Sequence, residues 1–374
     1  MRGLYILDSL RIGGAEILTL TTVNGANKVG IEPFLFIMDR GDLDEEVKKT
    51  NCKKFYFERK YKLDFKAINS ARKIIKKYSI DFVHADSPVE GIHGYLASRG
   101  LCKIFLTHHG FDFQDKIRDN LARRFLFPRV DANIFSSRIT FDYFSKKYNK
   151  INNSHILKNC VDFQKLDKTI SLVKQQIIRK KYSVKKENIN LGMVGNFYTS
   201  AKDQYTICRA LSLLVPKYRE LHFYFLGGWP ENNPEHYLKC YQFCEKTGIL
   251  NNVHFVGLEK DIANFLKIID FFVYSTHHDA HPLAVIEALG MGVPIIANDH
   301  PSILETTENG KYITSFKSKD YFDLAEKLSK LIDKKIPRAD PSIKKWARKN
   351  YSIQTYLKNL QKIYSSEINN GKNI

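Results

Sequence analysis

Asp279 and Glu287 stand eight positions apart in the stretch STHHDAHPLAVIEALGMGVPIIAN, residues 275–298. The stretch reads as a strand end, an acidic loop, a helix, a tight turn and a buried strand. Asp279 falls on the loop and Glu287 about two turns into the helix, so the two carboxylates reach different parts of one extended ligand. Between them the first helical turn, at Pro282, Leu283 and Ala284, offers unpaired backbone N–H groups and the positive end of the helix dipole, which together seat a phosphate. Pro282 suits the first helical position because it has no N–H to leave unpaired. Acceptors for hydroxyls at both ends of a phosphate seat suit a nucleotide sugar.

Other residues of the same kind recur along the chain. Gly13-Gly14-Ala15-Glu16 follows the first strand, where glycines let a ligand approach the backbone. Thr107-His108-His109-Gly110 ends a later strand. Successive side chains of a strand face opposite ways, so one of the two histidines points toward a ligand, and His109 is the candidate. Asn159-Cys160-Val161-Asp162 and Val194-Gly195-Asn196 with Lys202 follow. His277, His278, Asp279 and His281 crowd one loop, where joint ligation of a metal is awkward. Cys240 and Cys244 lack a second Cys or His pair at zinc spacing and read as reduced packing thiols.

In this order the motifs resemble those of the family 4 retaining glycosyltransferases, whose fold is GT-B. An acidic residue, seven positions, Glu287 and EALGMGVPIIA match the family signature. The resemblance implies an α/β chain of two Rossmann-like doubly wound domains facing each other across a cleft. It implies that His109 lies near the transferred sugar and that Lys202 binds the donor diphosphate. Glu287 would take the ribose hydroxyls, Gly257 and Leu258 the nucleobase, and Asp279 would position the sugar with His109. Gly13, Gly14, Leu283 and Ala284 would stabilise the leaving diphosphate. The donor implied is a UDP-sugar, and no metal or other cofactor is implied. The chain departs from the family at four places. Asn196 replaces an arginine, exchanging a cationic fork for a neutral amide, with Arg11 as the candidate substitute cation. Asp279 replaces a glutamate, Ala280 a glycine and His281 an aromatic residue, changes that bear on which sugar is held.

The elements that position these residues alternate along the chain, which argues for parallel sheets covered by helices. Strands are expected at residues 3–8, 33–38, 53–57, 82–85, 103–107, 132–135 and 155–157. After a polar, lysine-rich helical stretch at 163–186, read as the linker, they resume at 189–195, 222–226, 253–256, 271–275 and 294–297. Helices are expected after Lys202, Pro234, Asp261, Pro282 and Asp320. Every motif falls at a strand end, where ligands of such sheets bind. The expected domains are an acceptor-side unit, residues 1–165 joined by a returning helix at 352–374, and a nucleotide-sugar-binding unit, 166–351.

At 374 residues the chain can bury two cores. It has no run of eighteen apolar residues, and its N-terminus reads as a strand and not as an export signal, so a cytoplasmic location is expected. The formal charge of +19 calls for an anionic partner or surface. No nucleic-acid-binding motif is present, so nucleic acid is not expected. Residues 111–129 mix aromatics with Lys116, Arg118, Arg123, Arg124 and Arg129; they suit an anionic membrane surface, and a solvated basic face fits them equally well. The function expected is retaining transfer of a sugar from a nucleotide-sugar donor to a glycan or lipid-linked acceptor in cell-envelope polysaccharide synthesis. The alternatives are a GT-B sugar-nucleotide epimerase and a non-catalytic nucleotide-sugar-binding partner subunit.

Overall fold

The apolar runs of the sequence become two sets of parallel strands. In the computed structural model, which describes residues 1–10, 13–111, 117–259, 261–334 and 341–370, the chain divides into two units. One comprises residues 1–160 with 351–374, the other residues 161–350.

The first unit holds β1 (Arg2–Leu7), β2 (Glu32–Ile37), β3 (Lys53–Tyr56), β4 (Phe82–Ala85), β5 (Lys103–His108), β6 (Ala132–Phe135) and β7 (Ser154–Ile156) in the order β3-β2-β1-β4-β5-β6-β7. Every pairing is parallel. Strands β4 and β6 are buried at every position, as expected of a parallel sheet covered on both faces. The order reverses between β1 and β4, so the loops leaving their carboxyl ends flank the crevice where such sheets bind ligands. The Phe65–Tyr78 helix shows how the local sequence sets these elements. Its cap, Asp64, accepts the N–H groups of Lys66 and Ala67, and it ends at Ser79 in the left-handed region. The C-terminal helix, Ile353–Asn370, belongs to this unit. Its Ile353, Tyr356, Leu357, Leu360 and Tyr364 join the core under the sheet, with the Tyr364 ring centred 4.0 Å from Phe82 and 4.7 Å from Phe105.

The second unit holds β8 (Ile189–Val194), β9 (Leu221–Leu226), β10 (Val253–Gly257), β11 (Phe271–Tyr274), β12 (Ile295–Asn298) and β13 (Thr314–Phe316) in the order β10-β9-β8-β11-β12-β13. All pairings are again parallel, and the order reverses between β8 and β11. Two sequence expectations change here. Residues 163–186 are helical as expected but do not serve as a linker. They form the helices Phe163–Thr169 and Leu172–Lys181, docked on this unit by Asn264, whose side chain donates to Thr169 O at 2.7 Å and accepts Ser171 N–H at 2.8 Å. The Phe163 ring lies where a Cβ on Gly290 would sit, and Arg348 clamps Asp167 with two hydrogen bonds of 2.5 and 2.7 Å. Strand β13 and the helix Pro301–Thr306 were also missed, because pieces of three and six residues are too short to display a period.

Candidate active site

The Leu283–Met291 helix carries the centre of the second unit's site. Pro282 is its cap and not its first residue: its ψ of 112° is extended, so helical geometry starts at Leu283. No side chain caps this end, so Leu283 and Ala284 stand at a helix start whose N–H groups have no capping acceptor. Gly292, at φ 74°, closes the helix in the left-handed conformation that glycine adopts without strain. Glu287 is half-buried on this helix, and no hydrogen bond or ion pair joins it to a described residue. Burial alone pushes its carboxyl up to about 7. A carboxylate kept half out of water without a partner is an acceptor waiting for donors.

Lys202 and Asp279 come together at the carboxyl ends of β8 and β11. Their side chains form an ion pair, with Tyr274 OH donating to the same Asp279 oxygen at 2.6 Å. The Lys202 ammonium also lies 2.5 Å from Tyr274 OH. Lys202 stays in place because its backbone bridges to Thr276. Asp203 beside it caps the Gln204–Leu214 helix and accepts Ser275 Oγ at 3.0 Å. Thus the cation and the acidic loop residue, 77 positions apart in sequence, form one cluster.

Asn196 has a structural task. Its Oδ1 accepts Gly228 N–H at 2.9 Å, and Phe197 N–H donates to Gly228 O at 2.8 Å, lacing the loops after β8 and β9 together. The loops approach so closely that a Cβ on Gly227 would strike the Gly195 carbonyl. Gly257 ends β10 at φ 80°, a conformation that favours glycine, and its carbonyl accepts Gly227 N–H at 2.9 Å. Leu258 follows it, largely exposed. Arg11 lies outside the described residues, as do 112–116 of the basic stretch, which forms a helix at Ile117–Leu126.

In the first unit, Gly13 is the extended cap of the Gly14–Ala26 helix. The Glu16 carboxyl folds back over Gly13, and burial raises its titration above the ordinary range. The two histidines diverge as the strand geometry requires. His108 is buried, stacked on Phe135 and 3.2 Å from Asn133 Oδ1, and burial drives its titration down to about 3. His109 instead meets Asp86, with Nε2 to Oδ1 at 2.8 Å. Asp86 was not singled out in the sequence. The available signal was its place just past β4, beside the strand-order reversal. Burial would raise its carboxyl, but His84 and His109 outweigh burial and hold it well below the ordinary carboxylate range. Glu90, buried beside it, accepts the N–H groups of Asp8 and Asp86 at 2.7 and 2.8 Å; desolvation, then the Asp86 charge, push its carboxyl up to about 8.

His277 faces Asp203 at 3.4 Å, and among the described residues no three His, Cys, Asp or Glu side chains are grouped to hold a metal ion. No described helix is long and apolar enough to cross a membrane.

Comparison with known proteins places this geometry. The family model described as glycosyl transferases group 1 matches residues 174–350, and that of glycosyltransferase family 4 matches residues 12–165. The UDP-Gal:alpha-D-GlcNAc-diphosphoundecaprenol alpha-1,3-galactosyltransferase of Escherichia coli is 26% identical over 249 residues, 63% of this chain and 62% of the relative. The match therefore spans about three fifths of that relative's length. The crystal structure of a glycosyltransferase from Rickettsia africae ESF-5 superposes with a TM-score of 0.85 at 19% identity, covering 98% of each chain. That of Anabaena Alr3699/HepE in complex with UDP and glucose gives 0.83 at 15% identity, covering 98% of this chain and 100% of the other. At these identities the superpositions speak for the fold, two parallel-sheet Rossmann-like domains, while the two family models together account for both units: the chain belongs to the family 4 glycosyltransferases.

Proposed function

We propose that the protein is a retaining glycosyltransferase that moves a hexosyl or N-acetylhexosaminyl group from a UDP-sugar to a glycan or lipid-linked acceptor in cell-envelope polysaccharide synthesis. The observation that carries the reading is Glu287: an unpartnered, half-buried carboxylate on the helix whose uncapped start bears Leu283 and Ala284. It has the chemistry to accept two ribose hydroxyls while the helix start takes phosphate oxygens. Lys202 would move from Asp279 to the diphosphate as charge develops there, freeing Asp279 for sugar hydroxyls. Gly257 and Leu258 would receive the base, Gly13 and Gly14 would serve the leaving diphosphate, and His109 would meet the sugar. The acceptor hydroxyl forms a bond to the anomeric carbon as the carbon–oxygen bond to the diphosphate breaks, and its proton passes to the leaving phosphate. No protein nucleophile and no metal ion is needed in this sequence. UDP in the HepE structure and the diphosphoundecaprenol-linked substrate in the relative's name support the donor and acceptor classes.

Supplied with UDP-hexoses and a diphosphoundecaprenol-linked saccharide, the protein should release UDP and form a product whose new bond keeps the donor's anomeric configuration. An inverted product would overturn the retaining mechanism. The use of Asn196 as a loop brace favours a second reading, a non-catalytic binding subunit. UDP binding without transfer to any acceptor would single that reading out.

A peripheral position on an anionic, cytoplasmic membrane face fits the first unit. Ile117, Leu121 and Phe125, 78, 62 and 37% exposed, form an apolar row four residues apart on the Ile117–Leu126 helix, with Arg118 and Arg124 exposed beside it. Sedimentation with vesicles containing anionic lipid should be salt-sensitive and should fall in Leu121→Asp. Equal sedimentation of the variant would remove this helix from the account.

A further inference from the structure

The hydrogen-bonded cluster behind His109 reaches into the C-terminal helix. Asp86, with a side chain 9% exposed, accepts Thr19 Oγ1–H at 2.5 Å through Oδ2 and meets His109 Nε2 at 2.8 Å through Oδ1. Its backbone N–H is tied to Glu90 at 2.8 Å, which fixes the backbone from which the carboxylate projects. His84 Nε2 lies 3.3 Å from the same Oδ1 and 2.9 Å from Thr107 Oγ1, and its Nδ1 lies 2.6 Å from Tyr364 OH. An ionised carboxylate only accepts hydrogen bonds, so the His109 nitrogen facing it carries the proton. A buried tyrosine hydroxyl stays protonated and donates to His84 Nδ1, which leaves His84 with its proton on Nε2, directed at Thr107 and Asp86. No described residue bonds His109 Nδ1.

We propose that Asp86 is a positioning residue for His109, fixing the ring with Nε2 protonated and Nδ1 left for the ligand, and that Tyr364 braces Asp86 through His84. The proposal rests on the reading of His109 as the histidine that meets the sugar. Without Asp86 the ring has two roughly equivalent orientations about its terminal torsion, one of which turns Nδ1 inward. The returning helix thereby acquires a second task besides filling the core: its residue 364 orders a side chain 255 positions earlier in the chain.

The test is proton NMR of the full-length protein labelled with ¹⁵N histidine, with the His109 signals assigned from His109→Gln. The wild type should show a hydrogen-bonded His109 Nε2–H protected from exchange with water. In Asp86→Asn, which is isosteric, its exchange should speed up by about tenfold or more, the loss of one charged hydrogen bond. Asp86→Ala should abolish the protection, and Asp86→Glu, which keeps an anionic acceptor, should restore part of it. Tyr364→Phe should move the His84 proton and speed His109 exchange less than Asp86→Asn does. An unprotected Nε2–H in the wild type, or protection unchanged in Asp86→Asn, would overturn the role of Asp86. An unchanged His109 signal in Tyr364→Phe would overturn that of Tyr364. UDP affinity, measured by calorimetry, should be unaltered in the Asp86 and Tyr364 variants, because neither residue is among those assigned to UDP. Failure of the wild type to bind UDP would count against the donor reading and leave the NMR result to decide the role of Asp86.

Discussion

At the scale of single residues, Glu287 gives the sharpest expectation. Its carboxyl titrates near 7 in the folded protein against an ordinary value of 4.5. The folded state therefore holds the proton more tightly, so stability falls as pH rises from about 4.5 to about 7 and then levels off. The cost is at most about 3 kcal/mol, and less in practice because the residue is half-buried. Glu287→Gln should remove this slope and make the ligand-free protein more stable at pH 8, as measured by urea denaturation across pH. Only the ionised carboxylate accepts freely at both oxygens, so two ribose hydroxyls favour it, and UDP affinity should climb from pH 6 to 8 with release of a proton. Calorimetry in two buffers of different ionisation enthalpy would reveal that proton. The same dependence in Glu287→Gln would assign it to another group. Asp279 differs in kind: its carboxylate is already satisfied by Lys202 and Tyr274, so a donor must compete for it.

At the scale of elements, the helices of residues 163–181 are held by close packing at Gly290. Gly290→Ala would drive a methyl group into the Phe163 ring and should destabilise the second unit by about 1–3 kcal/mol. An unchanged urea midpoint would mean that Phe163 moves aside at no cost. Much of this architecture was legible in the chain. Buried parallel strands are largely apolar, so Phe82–Ala85 and Ala132–Phe135 could be bounded from sequence although each carries one polar residue, His84 or Asn133. The helix start proposed to seat a phosphate was legible as an element because a helix start and its spacing to Glu287 are local properties. The lysine-rich segment was misread as a linker because its partners, Asn264, Gly290 and Arg348, lie far along the chain. Asp86 escaped for the same reason, since its meaning depends on His109 and Tyr364 across the sheet.

At the scale of the molecule, the chain is two units, one of them closed by residues that arrive last. Ile353, Tyr356, Leu357, Leu360 and Tyr364 are all buried in the first unit. At about 1.5–3 kcal/mol each their burial is worth on the order of 10 kcal/mol, as much as the net stability of a typical domain. Residues 161–350 expressed alone should therefore unfold cooperatively, whereas residues 1–160 without the C-terminal helix should not, as judged by thermal melts followed by circular dichroism. A cooperative melt of 1–160 alone would contradict this. The central claim, that the second unit seats a nucleotide sugar through Glu287, is tested most directly by thermal unfolding of the whole chain with UDP, GDP, ADP and their sugar conjugates. A ligand at a hundred times its dissociation constant adds about 2.7 kcal/mol. The account predicts a rise in melting temperature with UDP and UDP-sugars that is lost in Glu287→Ala. No rise with any nucleotide, or a rise that survives Glu287→Ala undiminished, would contradict it.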